Sequence, residues 1–102
     1  WQGRPSVAFG AGVFLVGWTD DENVGVLDPN SGEVMARRFD IQGRPLDATE
    51  VRVNPNTMGH QDFAHVLWVP QVSCFLAVWQ DYQGVYPNSL ARYVPPAGPI
   101  NP

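Results

Sequence analysis

The stretch Phe14-Leu15-Val16-Gly17-Trp18-Thr19-Asp20 returns 61 positions later as Phe75-Leu76-Ala77-Val78-Trp79-Gln80-Asp81. Upstream, Gln2-Gly3-Arg4-Pro5-Ser6-Val7-Ala8-Phe9 aligns with Gln61-Asp62-Phe63-Ala64-His65-Val66-Leu67-Trp68 at an offset of 59. The change of two residues fits one longer hairpin turn in the second copy. Downstream, Met35-Ala36-Arg37-Arg38-Phe39 answers to Leu90-Ala91-Arg92-Tyr93, and Val53-Asn54-Pro55 to Ile100-Asn101-Pro102. A period of this length marks a repeat architecture in which each copy is one supersecondary unit. The alignment predicts a first β repeat over 1–60 and a second, shorter one over 61–102.

Each copy reads as short strands. Pro5 to Phe9 is rich in β formers, and Val13 to Trp18 is an almost continuous apolar run of strand length, as expected where both faces of a sheet are covered. Gly10-Ala11-Gly12 between them is a tight-turn signal. Glu33 to Ile41 alternates Val34, Ala36, Arg38 and Asp40 with Met35, Arg37, Phe39 and Ile41, and the second set is expected to be the buried one. Thr49 to Val53 is expected to be a fourth strand with Val51 and Val53 inward. Four short antiparallel strands in about 55 residues match the unit of a propeller blade. The expected fold is all-β: two propeller-like blades of about four short antiparallel strands, the second truncated.

Composition agrees. The 102 residues include ten Gly and ten Pro, which favours short strands joined by turns over long helices. The chain is 44% hydrophobic, enough for a core, which argues against disorder. All six basic residues are Arg, against ten acidic ones, and no basic cluster offers the footprint that a nucleic-acid backbone requires. No apolar run approaches the roughly 18 residues of a membrane-spanning helix. Cys74, the only cysteine, lies in an apolar run and reads as a buried, inert thiol.

The first copy also resembles a tandem repeat of large secreted or surface-displayed bacterial proteins. That repeat runs Gln-x-x-Pro-x-Val-Ala, Phe-Val-Val-x-Trp, Ala-Arg-Arg-Phe-Asp-x-x-Gly-x-Pro-Leu and a closing Val-Asn. The match runs through Gln2, Pro5, Val7, Ala8, Phe14, Val16, Trp18, Ala36, Arg37, Arg38, Phe39, Asp40, Gly43, Pro45, Leu46, Val53 and Asn54. Thr57-Met58-Gly59-His60-Gln61 is similar to the junction into a following copy. The second copy departs from the pattern at Ala64 and Leu67, and Val94-Pro95-Pro96-Ala97-Gly98-Pro99 cannot supply a regular ladder of backbone donors. The resemblance implies a β-propeller or related blade array, placed outside the cell or on its surface. It implies adhesion, carbohydrate contact or scaffolding and no particular reaction.

Blades bury their faces against neighbours, and a closed propeller normally takes about four to eight. With two repeats, the chain is expected to associate with itself head-to-tail, as a ring or a filament, through inter-blade packing of Phe14, Trp18, Phe75 and Trp79. The leading expectation is a non-enzymatic structural or adhesive module with a homo-oligomer or polymer as partner. The alternative is a lectin-like module that binds a glycan. Trp1, Tyr82, Tyr86 and Asn88 are the candidate ligand or subunit contacts, because exposed aromatic planes stack on sugar rings.

Little else in the sequence carries chemistry. His60 and His65 have no nucleophile motif beside them, and two His with one Cys cannot make a four-ligand zinc set. Asp28-x-Asn30-x-Gly32 has the start of a calcium loop, making Asp28 and Asn30 calcium candidates. The Glu such a loop needs at its twelfth position is Phe39, so an ordinary Asx-type turn is the simpler reading. No catalytic residue, metal or cofactor is expected. Arg37 and Arg38 point to opposite faces of a strand, where one of them is expected to form a structural ion pair.

Overall fold

The computed structural model describes residues 2–20, 33–54, 60–82 and 88–100; at 2–4, 20, 60–64, 81–82 and 88 it describes the backbone alone. Among the described residues there are seven strands and no helix: β1 (Gln2–Gly10), β2 (Val13–Asp20), β3 (Glu33–Asp40), β4 (Val51–Arg52), β5 (His60–Val69), β6 (Cys74–Tyr82) and β7 (Asn88–Val94). They form two antiparallel sheets, β1-β2-β3-β4 and β5-β6-β7. The all-β expectation holds, and each repeat supplies one sheet.

The repeat is visible in the register. Gly10 pairs with Val13 across the two-residue turn Ala11-Gly12, whose φ angles of 53° and 74° are those of a hairpin with both central residues left-handed. In the second copy Val69 pairs with Cys74 across Pro70–Ser73, two residues longer, which accounts for the change of offset. The β1–β2 register shifts between Gly3 and Ser6, and the β5–β6 register shifts between the equivalent Asp62 and His65. After the third strand, Gly43 and Gly98 hold the same left-handed conformation, with φ of 83° and 84°.

β5 lies against β1 and β2, so the sheets stack face to face. We call the side of each sheet carrying its Phe and Trp (Phe14 and Trp18; Phe75 and Trp79) the front, and the other side the rear. The front of the second sheet packs on the rear of the first. Leu15, Val34 and Ala36 from the first sheet meet Val66, Phe75, Ala77, Trp79 and Val94 from the second in one core, joined by Val53. Two glycines permit the approach. A Cβ on Gly10 would lie 1.9 Å from the Trp68 ring, and one on Gly17 would lie 2.9 Å from Val66 Cγ1.

Three expectations need correction. On β3 it is Val34, Ala36 and Arg38 that are buried, while Met35, Arg37 and Phe39 are half-buried and Ile41 is exposed. The reason is Arg38, whose guanidinium is satisfied at the sheet interface and so can enter the core side. The fourth strand is only two residues long: Arg52 pairs with Met35 and Val51 with Ala36. Val53 nevertheless donates to the Val34 carbonyl at 2.7 Å, and the Asn54 Oδ1 accepts from Val34 N at 2.9 Å, so the edge is closed by a side chain where the strand ends. Cys74 is half-buried, not enclosed.

Candidate functional site

Among the described residues, four polar contacts fix the second repeat on the rear of the first sheet. Ser6 Oγ accepts from Val66 N at 3.1 Å. Arg92 Nη1 donates to the Val53 carbonyl at 2.8 Å. Arg38 Nη1 and Nη2 donate to the carbonyls of Pro95 and Gly98 at 2.9 and 2.7 Å. Arg38 is also paired with Asp47 at 2.7 Å, with the two side chains 7% and 10% exposed. Asp47 belongs to the loop after β3, so the structural ion pair is made within the first repeat and reaches the second only through carbonyls.

Burial pushes the Asp47 carboxyl up, but hydrogen bonds from the Arg38 side chain and backbone, with Coulombic attraction to Arg38 and Arg37, outweigh it and hold the group below its ordinary 3.8. At the exposed turn that follows β3, hydrogen bonds from Arg44 and Gln42 lower Asp40, with Arg44 Nε at 2.8 Å. Asp40 shapes the turn by accepting from both backbone amides.

The candidate site is the front of the first sheet. By alignment, Val7, Phe9, Phe14, Trp18 and Arg37 occupy the positions of Val66, Trp68, Phe75, Trp79 and Arg92. In the second sheet these positions face the first sheet: Phe75 is 0% and Val66 8% exposed, Trp79 is buried and Trp68 and Arg92 are half-buried, and the Trp68 and Phe75 rings meet edge-on with centroids 5.0 Å apart. In the first sheet the same aromatic pair recurs as Phe9 and Phe14, with centroids 4.6 Å apart, yet Phe9 is 48% and Val7 62% exposed. Arg37 lies over the Phe39 ring at 5.8 Å and donates to the carbonyls of Asp47 and Ala48. The two indole N–H groups, of Trp18 and Trp79, are both buried without a hydrogen-bond partner among the described residues.

Of the residues singled out in the sequence, Phe75 and Trp79 therefore lie between the sheets, and Phe14 and Trp18 lie on the outer face. Tyr82 and Asn88 are described through the backbone, where they pair with His60 and Asp81 at the ends of β6 and β7. Trp1, Tyr86, Asp28 and Asn30 lie outside the described residues. His60 begins β5, and His65 is exposed on the rear of the second sheet. A hollow of about 420 Å³ is lined by Trp79 and by His65, Val78, Gln80 and Ser89 from this rear face. Arg38, Asp47, Ser6 and Gly10 were not recognised in the sequence as interface residues. Among the described residues no three His, Cys, Asp or Glu side chains converge on a metal position, and no helix is long and apolar enough to cross a membrane.

Comparison with protein families, curated proteins and solved structures finds no match to this chain.

Proposed function

We propose that this chain is a non-enzymatic structural or adhesive module that associates with itself by stacking sheets, using the front of its first sheet as a contact surface. The observation that supports this reading is the pair of equivalent aromatic clusters: Phe75 is fully buried and Trp68 half-buried against the first sheet, whereas Phe9 is exposed and Phe14 half-buried on the front face. Trp68 and Phe75 are stabilised by lying on a neighbouring sheet, whereas Phe9 and Phe14 present the same chemistry with no sheet from the described chain upon them. Contiguous exposed apolar side chains on a regular sheet face are what an interaction surface is made of. Burying them yields roughly 25 cal/mol per Å² before the costs of association. Placement outside the cell or on its surface follows from the repeat's resemblance.

Light scattering after size exclusion tests the reading. The mass is expected to rise above 11.3 kDa as the load is increased. A constant monomer mass across the soluble range would contradict it. The lectin-like alternative draws on the hollow beside Gln80 and Ser89, which adjoins the strand ends bearing Tyr82 and Asn88. A glycan that binds a persistently monomeric chain, with binding lost in His65→Ala, would favour that alternative.

A further inference from the structure

Resting on that reading, we infer that the surface which receives the open front face is the rear of the second sheet on another copy, so that copies join with one polarity. Among the described residues, the contacts between the sheets run from front to rear. Trp68 sits on Gly10, Val66 sits on Gly17 and donates to Ser6, and the Pro95–Gly98 turn meets Arg38. The rear of the second sheet carries the counterpart of each receiving residue: Val69 for Gly10, Val78 for Gly17, His65 for Ser6 and Tyr93 for Arg38.

The counterparts keep the chemistry of the junction. Leu67 and Tyr93 are 43% and 54% exposed, so this rear face is open in the chain as the front of the first sheet is. Where Trp68 fills the space above Gly10, the smaller Phe9 of a second copy meets the larger Val69. His65 offers a ring nitrogen as acceptor to Val7 N–H, where Ser6 offers a hydroxyl to Val66 N–H. Tyr93 offers a hydroxyl donor to carbonyls of the partner's Asp40–Gly43 turn, where Arg38 serves the equivalent Pro95–Gly98 turn. Only at Val78 is bulk added without compensation, since Val7 and Val66 are the same residue. That contact is looser than its internal counterpart, and it adjoins the hollow lined by His65, Val78, Gln80 and Ser89. An interface of two different surfaces propagates, closing as a ring if the rotation allows and extending as a filament if it does not.

The test uses Val7→Lys to block the front and Leu67→Lys to block the rear, both at exposed positions and both changing net charge equally. Circular dichroism and urea midpoints confirm that the variants fold; if either lysine disturbs its strand, Val7→Asn and Leu67→Asn make the same comparison. In sedimentation velocity the parent chain is expected to grow past a dimer. Each variant alone is expected to self-associate at least about tenfold more weakly. Mixed one to one, the variants should form a dimer that stops growing, because each retains the surface the other lacks. A dimer of Leu67→Lys alone, with none from Val7→Lys and no mixed dimer when the two are combined, would mean fronts pair with fronts. It would overturn this polarity while leaving self-association intact. Variants that both behave as the parent would overturn the assignment of these faces. A parent that stays monomeric would overturn self-association itself.

Discussion

Gly10→Ala isolates the close approach between the two sheets, because Gly10 has no left-handed φ and the substitution carries no backbone strain of its own. The added methyl carbon would sit 1.9, 2.3 and 2.4 Å from three carbons of the Trp68 indole. Ordinary carbon contact begins near 3.4 Å, so the ring must retreat by about 1.5 Å. Trp68 cannot retreat freely. Its ring is packed edge-on against Phe75, which is wholly enclosed, so the displacement passes to the sheet-to-sheet spacing. Overpacking of this kind costs about 1–3 kcal/mol. We expect about 3 kcal/mol, since the obstacle is a rigid ring. That corresponds to a fall in Tm of roughly 12–24 °C for a domain of this size.

Urea denaturation followed by tryptophan fluorescence reads the effect directly. Gly17→Ala is the internal comparison, because its methyl would crowd the Val66 Cγ1 at 2.9 Å and otherwise make an ordinary contact with the Met35 carbonyl at 3.7 Å, and it should cost about 1 kcal/mol. In Trp68→Leu the obstacle is gone, so adding Gly10→Ala to it should cost less than about 1 kcal/mol. A Gly10→Ala chain within about 0.5 kcal/mol of the parent would refute the reasoning, as would equal costs in the presence and absence of Trp68.

Arg38→Met should destabilise by about 3 kcal/mol, because it leaves the Asp47 carboxylate, still held by the residue-38 backbone amide, without its guanidinium partner, and the carbonyls of Pro95 and Gly98 without their donor; a urea midpoint near the parent's would contradict this. The same pair sets an acid limb. Asp47 titrates lower in the folded chain than in the unfolded one, so its contribution is complete above about pH 4 and is lost as pH falls through the lowered value. Stability measured from pH 7 to pH 2 should therefore fall less steeply in Asp47→Asn than in the parent, from a lower starting point. Ser6→Ala should cost about 1 kcal/mol by removing the acceptor for Val66 N, with Ser6→Thr recovering part of it in the same denaturation assay.

The repeat was the most legible feature of the sequence, because a hairpin's register depends on its turn length, and the change of offset from 59 to 61 is a change of turn. The three-proline stretch likewise marked the second repeat as truncated, and its sheet has three strands among the described residues. The buried side of β3 was not legible. Alternation separates two faces without saying which is covered, and Arg38 and Asp40 made the covered one look polar. What reverses that reading is a loop residue nine positions away, Asp47, together with carbonyls from the far end of the chain. The aromatic positions posed a different difficulty. Phe14 and Trp18 are the sequence equivalents of Phe75 and Trp79, yet only the stacking order decides which set has a neighbour inside the chain. Periodicity carries no such information. It enters only once Gly10 and Gly17 are seen to seat Trp68 and Val66.

The most direct measurement is hydroxyl-radical footprinting of the chain at low and high concentration, read at individual side chains. As concentration rises, protection should grow at Phe9 and Phe14 on the front of the first sheet and at Leu67 and Tyr93 on the rear of the second. Val72, exposed in the β5–β6 turn away from both faces, should be unchanged. Equal reactivity of Phe9 and Phe14 at all concentrations would contradict the claim that the open front of the first sheet is a surface for a second copy.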